Sequence, residues 1–133
     1  MAELQSSDEK ALVEAWRELL ARQAATACAL DRELNERHGL GMSEFEVLER
    51  LVEGADGSCK VSFRVQELAD SVHLSQSALS RLIGRLEKDG LVERSMCPED
   101  RRGIQVCVTN DGYSRYVAAK PTHRAVLAEK LGD

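Results

Sequence analysis

Leu74-Ser75-Gln76-Ser77-Ala78-Leu79-Ser80-Arg81-Leu82-Ile83-Gly84-Arg85-Leu86-Glu87-Lys88-Asp89-Gly90-Leu91 decides the fold of this chain. Ser75 is placed to cap a helix, with Leu74 and Leu79 as the apolar staple around the cap. Leu79, Leu82, Ile83 and Leu86 recur at helical spacing and form one buried face. Gly90 supplies the left-handed residue that ends the helix, and Leu91 folds back on Leu86 as in a Schellman cap. The opposite face carries Gln76, Ser77, Ser80, Arg81, Gly84, Arg85 and Lys88, none of them apolar. Small polar groups near a helix N-terminus can approach base edges, arginines can reach guanine or phosphate, and glycine admits a close backbone. A merely solvated helix face has the same composition.

Upstream, Val65, Leu68, Ala69 and Val72 line a short first helix only a few residues away, so the pair is a helix-turn-helix candidate. Downstream, Leu91–Ser95 and Ile104–Thr109 alternate as strands around a loop that holds Pro98, Asp100, Arg101, Arg102 and Gly103. They read as a hairpin with a basic tip. A wing in this position reaches the adjacent minor groove, where arginine is favoured by the negative potential. Asp100 would be repelled by phosphate unless paired, which gives it the task of orienting Arg102.

Further out, Leu12, Trp16, Leu19, Leu20, Ala27, Leu30 and Leu34 make one stripe on a helix over 8–38, with Gly39 as its stop. About 30 residues at 1.5 Å each span roughly 45 Å, more than a domain of this size covers. The stripe therefore needs a cover, either the C-terminal helix or a second chain. Ser43-Glu44-Phe45-Glu46 reads as a capping box with Met42 and Val47 as staple, opening a helix that ends at Gly54. Val61 and Phe63 suit a brief strand. Thr109 or Asn110 caps a last segment with Tyr113, Tyr116 and Val117 on one side, and Pro121 predicts a kinked helix or two consecutive ones. The expected fold is mainly α with a small β-hairpin wing. One domain over 1–133 would hold a winged helix-turn-helix lobe at 43–109 and flanking helices at 8–38 and 110–131.

At 133 residues, 43% apolar and 31% charged, the chain has the size and composition of one globular domain. No apolar run approaches a membrane span and the first twenty residues are charged, which predicts a cytoplasmic protein. Residues 1–58 hold 6 Lys/Arg against 13 Asp/Glu, and residues 59–133 hold 12 against 10. The net charge of −5 thus hides a second half able to offer a basic face to a polyanion. Cys28, Cys59, Cys97 and Cys107 form no Cys-x-x-Cys pair, and His38, His73 and His123 are scattered, so no metal site is expected. No Gly-rich nucleotide loop and no nucleophile–base motif is present, which argues against an enzyme and gives no cofactor. Cys28 reads as a small core residue. Cys97, near Arg94, Arg101 and Arg102, is the redox candidate, because an electropositive setting favours the thiolate.

The run Leu74 to Ile83, then Leu86-Glu87-Lys88-Asp89-Gly90-Leu91-Val92, Pro98-Glu99-Asp100-Arg101-Arg102 and Val108-Thr109-x-x-Gly112, resembles the MarR family of bacterial winged-helix transcriptional regulators. The resemblance covers about residues 10 to 131 and is sharpest from Glu67 to Gly112. It implies a homodimer with interlocked terminal helices whose two lobes read a pseudo-palindromic duplex. It puts Gln76, Ser77, Ser80, Arg81 and Arg85 in the major groove, with Asp100 and Arg102 at the family's Asp-x-Arg wing positions; Lys88 and Arg101 join them as basic DNA-binding candidates. Many members release DNA when a small aromatic or phenolic compound binds between the dimerisation helices and the lobe. Trp16 and Phe45 are the pocket candidates here. The family pattern continues into a further C-terminal helix, from which the ending Leu131-Gly132-Asp133 departs. Two other readings remain: a winged-helix module that binds an acidic protein partner, and a regulator that responds to redox through Cys97.

Overall fold

Seven longer elements and one two-residue strand follow from these patterns in the computed structural model, which describes residues 6–54, 63–96 and 104–132. Helix α1 (Ser6–His38) opens on Asp8 and Glu9 and closes on Arg37 and His38, charges that complement its macrodipole. It ends at Gly39, whose φ of +66° suits a residue without a side chain. α2 (Met42–Glu53), β1 (Phe63–Arg64), α3 (Val65–Val72), α4 (Gln76–Lys88), β2 (Val92–Met96), β3 (Ile104–Val108) and α5 (Asn110–Leu131) follow. The strands form an antiparallel sheet in the order β1-β3-β2, with Phe63 and Arg94 both opposite Val106. The wing thus carries a third, short strand that ties the start of α3 to the hairpin.

The long N-terminal helix is divided between two environments. Its second half, with Thr26, Ala29, Leu30 and Leu34 buried, packs along α5, where Arg115 donates to the carbonyl of His38 at 3.1 Å and His38 meets Thr122 at 2.7 Å. Residues 6–25 are exposed throughout, including Leu12, Leu19 and Leu20, and Trp16 is 59% exposed. The C-terminal helix therefore covers only half of the stripe. Cys28, expected inside, is exposed as well.

One local expectation is corrected and another is narrowed. α2 starts one residue before Ser43, with Gly41 as N-cap. The Glu44 carboxylate accepts the Gly41 N–H at 2.9 Å, and Asp31 of α1 accepts the Met42 N–H at 3.0 Å. A carboxylate from the neighbouring helix replaces the Ser43 hydroxyl, and Glu46 is left for another partner. Pro121 does not divide the last segment, since α5 is one helix. Pro121 and Val117, whose carbonyl loses its i+4 donor, are both exposed, so water can take the missing bond.

The core sits beneath α4, where Phe45, Leu48, Leu51, Leu68, Leu79, Ile83 and Leu86 are essentially inaccessible. At one corner of it the Thr109 hydroxyl donates to the Gly90 carbonyl at 2.7 Å and accepts the Gly112 N–H at 3.0 Å. A Cβ on Gly112 would lie 2.0 Å from the Leu91 carbonyl oxygen, so this corner closes only around glycine.

Candidate nucleic-acid interface

Helix α4 is fixed at both ends by the residues that sequence singles out. The Ser75 hydroxyl accepts the Ala78 N–H at 3.1 Å, and at the far end Gly90 and Leu91 donate to the carbonyls of Glu87 and Leu86 at 3.0 and 2.9 Å, the Schellman pair. In the preceding turn His73 takes φ +58° and the Leu74 N–H closes on the Ala69 carbonyl at 3.1 Å. Leu79, Leu82, Ile83 and Leu86 point into the core. The other face is then turned outward: Gln76, Ser77, Ser80, Arg81, Arg85 and Lys88 are all exposed. Three cations at positions 81, 85 and 88 follow one side of the helix, an arrangement suited to a phosphate backbone. The N-terminal turn offers small polar side chains and free N–H groups.

Gly84 lies beneath a side chain that arrives from the sheet. The guanidinium of Arg94, on β2, crosses over it, 3.5 Å from where a Cβ would stand, and donates to the Ser80 carbonyl at 3.0 Å. Glu87 accepts the Arg94 N–H at 3.3 Å and lies 3.7 Å from its Nε. Sequence alone shows Arg94 only as a strand residue. The signal that could have exposed the contact is the pair Glu87 and Arg94 astride the Asp89-Gly90 turn. Asp100, Arg101, Arg102 and Cys97 lie outside the described residues.

The pocket candidates part company. Phe45 is fully buried, stacked on His123 at 4.3 Å and tilted against Tyr116 at 5.3 Å, whereas Trp16 stands in solvent. Around Phe45 runs a polar chain that sequence missed, because its members lie about 70 residues apart. Glu49 of α2 accepts from Tyr116 at 2.9 Å and from Arg124 at 2.6 Å, both on α5. Arg124 also donates to Nδ1 of His123 at 2.6 Å, which leaves the ring proton on Nε2, facing Glu46 at 3.3 Å. Burial alone would raise the Glu49 carboxyl, but the hydrogen bonds from Arg124 and Tyr116 outweigh it and hold Glu49 below the usual carboxylate value. Burial, then the Glu49 carboxylate, pushes the Tyr116 hydroxyl up to about 12. The Glu49 hydrogen bond likewise raises Arg124.

A cavity of about 310 Å³ opens between α1, the start of α2 and the end of α5. Leu19, Ala27, Leu30, Met42 and Leu131 make its walls apolar, with Arg22 and Gln23 at hand. Neither Trp16 nor Phe45 is among its lining residues. Among the described residues no group of three or more His, Cys, Asp or Glu side chains is arranged to hold a metal ion, and no helix is long and apolar enough to cross a membrane.

Comparison with known proteins agrees with this geometry. A MarR family regulator from Streptomyces coelicolor, solved in complex with DNA, superposes with a TM-score of 0.81 at 28% identity, over 98% of this chain and 76% of that one. CouR from Rhodococcus jostii RHA1, solved with p-coumaroyl-CoA, gives 0.71 at 26%, over 84% of this chain and 74% of that one. The HTH-type transcriptional regulator MhqR of Bacillus subtilis is 28% identical over 95 residues, which is 71% of this chain but only 61% of MhqR. The chain thus spans about three-fifths of that relative's length. The MarR family model itself matches residues 40–104, from the residue before the α2 cap to the start of β3. Joined to the winged helix-turn-helix fold and its regulator relatives, this match means that residues 40–104 form a MarR family lobe.

Proposed function

We propose that this chain is a sequence-specific double-stranded DNA-binding transcriptional regulator that acts as a homodimer. The observation that carries this reading is the outward face of α4. Six exposed residues, Gln76, Ser77, Ser80, Arg81, Arg85 and Lys88, stand on a helix capped at both ends and include no apolar side chain. In this reading Gln76, Ser77, Ser80 and Arg81 meet base edges in the major groove, and Arg85 and Lys88 meet phosphate. Arg101 and Arg102 extend the contact from the wing, with Asp100 orienting Arg102. The Streptomyces relative solved with DNA supports the assignment.

The homodimer is supported by the uncovered half of α1. Leu12, Trp16, Leu19 and Leu20 give one chain an apolar strip that its own fold leaves in water. A second copy covers it by symmetry, and the two lobes then meet half-sites about one helical turn apart. We further assign the regulator as a repressor released by a small aromatic or phenolic ligand. The 310 Å³ cavity, with apolar walls and Arg22 for an acidic group, is of the size and character such a ligand needs. CouR, solved with p-coumaroyl-CoA, supports that class of ligand.

Selection from a random duplex library with the full chain, followed by titration of the winners at several salt concentrations, tests the reading. An enriched inverted repeat with a steep salt slope is the expected result. Binding without enrichment would overturn sequence-specific recognition and leave an architectural role, and no binding would move an acidic protein partner to the front.

A further inference from the structure

We propose that Arg94 is a positioning residue for base recognition, one that sets the angle at which the outward face of α4 is presented; this rests on the DNA-binding reading above. Arg94 lies on β2, opposite Val106 of β3, and so belongs to the sheet rather than to the helix-turn-helix. From there its Nη2 donates to the Ser80 carbonyl at 3.0 Å, while Glu87 holds both its backbone N–H, at 3.3 Å, and its Nε, at 3.7 Å. One side chain thus joins the sheet to the middle and the end of α4.

Two physical points make this a matter of recognition rather than stability. Packing of Leu79, Leu82, Ile83 and Leu86 fixes the axis and the buried face of α4, and leaves only rotations of a few degrees, which keep that face buried, to directional contacts. The bridge to Ser80 is directional, and it holds the residue whose side chain, with that of Arg81, is assigned to base edges. Contact to a base tolerates little angular error. Exposed ion pairs also contribute little to stability, and here the Arg94 and Glu87 side chains are 34% and 44% exposed. Gly84 fits the same account. A Cβ there would stand 3.5 Å from the guanidinium, and anything bulkier than alanine would occupy its path.

The test compares wild type with Arg94→Lys, Arg94→Ala and Glu87→Gln in the full chain, each titrated against the selected duplex and a scrambled one across salt, with thermal melts alongside. The expected result is a specificity ratio reduced about tenfold or more in all three, with binding to the scrambled duplex, its salt slope and the melt nearly unchanged. Lysine keeps the charge but cannot make the two-point bridge, so it does not restore the ratio. Glu87→Gln separates the alternatives most sharply. Removing an acid beside the DNA-facing cations tightens binding to every duplex if charge alone matters, whereas loss of the brace lowers discrimination. A parallel loss on both duplexes in Arg94→Ala, with its slope reduced by about 0.9 and both restored in Arg94→Lys, would make Arg94 a phosphate contact and overturn the inference. Tighter Glu87→Gln binding at an unchanged ratio would overturn it too. A wild type that prefers no duplex would overturn the DNA-binding reading itself, a result distinct from either.

Discussion

The hydroxyl of Tyr116 donates to the carboxylate of Glu49 at 2.9 Å, and this contact pins α5 to α2 inside the molecule. It makes stability fall at both ends of the pH scale. Glu49 is held below its ordinary 4.5, so its contribution is complete above that value and is lost as pH falls through the folded value. Tyr116 is raised from 10.0 to about 12, so its contribution is complete below pH 10 and is lost between pH 10 and 12. Urea midpoints measured across pH should show both limbs. Tyr116→Phe should flatten the alkaline one, and an unchanged alkaline limb would place its origin elsewhere.

Gly112→Ala should destabilise the protein by about 3 kcal/mol, because the added methyl meets the Leu91 carbonyl at 2.0 Å and a backbone atom cannot swing aside. Gly90→Ala is the control. It has φ +77° and nothing within 4 Å of an added Cβ, so it should lose only the left-handed penalty of about 1 kcal/mol. Chemical denaturation of the two variants gives the comparison, and equal losses would refute the crowding argument.

Gly84→Ala should stabilise the fold by about 0.5–1 kcal/mol, since alanine favours the helix and its methyl makes ordinary contact with Arg94 at 3.5 Å. Were Gly84 needed for close approach of DNA, the same variant would bind its duplex poorly. Melting and titration of one preparation distinguish the two.

On the DNA-binding reading, Ser80→Ala and Arg81→Ala should change which base is preferred at one position of each half-site, at about 1–3 kcal/mol for a bidentate pair. Lys88→Ala and Arg102→Ala should weaken binding to all sequences alike, each lowering the salt slope by about 0.9 per phosphate lost. A preference matrix and a salt series for each variant check this division.

Trp16 is the chain's single tryptophan and is 59% exposed when the chain stands alone. If a second copy covers α1, its fluorescence should shift to the blue as concentration rises and follow the sedimentation mass. Trp16→Arg should hold the protein monomeric. Emission independent of concentration, in a protein that sediments as a dimer, would put the interface elsewhere.

Much of the lobe was legible because its determinants are local. Ser75, Gly90 with Leu91, and the stripe Leu79, Leu82, Ile83 and Leu86 each act within a few residues, and all take the expected places. The start of α2 was misplaced because Gly41, which has no side chain to signal a cap, takes that place, with Glu44 accepting its N–H and Asp31, eleven residues away on another helix, accepting that of Met42. The Glu49, Tyr116, Arg124 and His123 cluster left no periodic trace. Its partners meet across 67 to 77 residues, a pairing that only the packing of α5 on α2 creates. The Arg94 guanidinium over Gly84 was not legible either, since that side chain arrives from the sheet.

The corner at Gly112 also has a mechanical meaning. With the Leu91 carbonyl packed on Gly112 and the Thr109 hydroxyl bonded to both Gly90 and Gly112, the start of α5 and the end of α4 share a joint without slack. Leu131, at the far end of the same α5, borders the open cavity, so a single helix runs from that cavity to the joint. The 22 residues of α5, roughly 30 Å at 1.5 Å per residue, are thus one continuous element between the cavity and the end of α4.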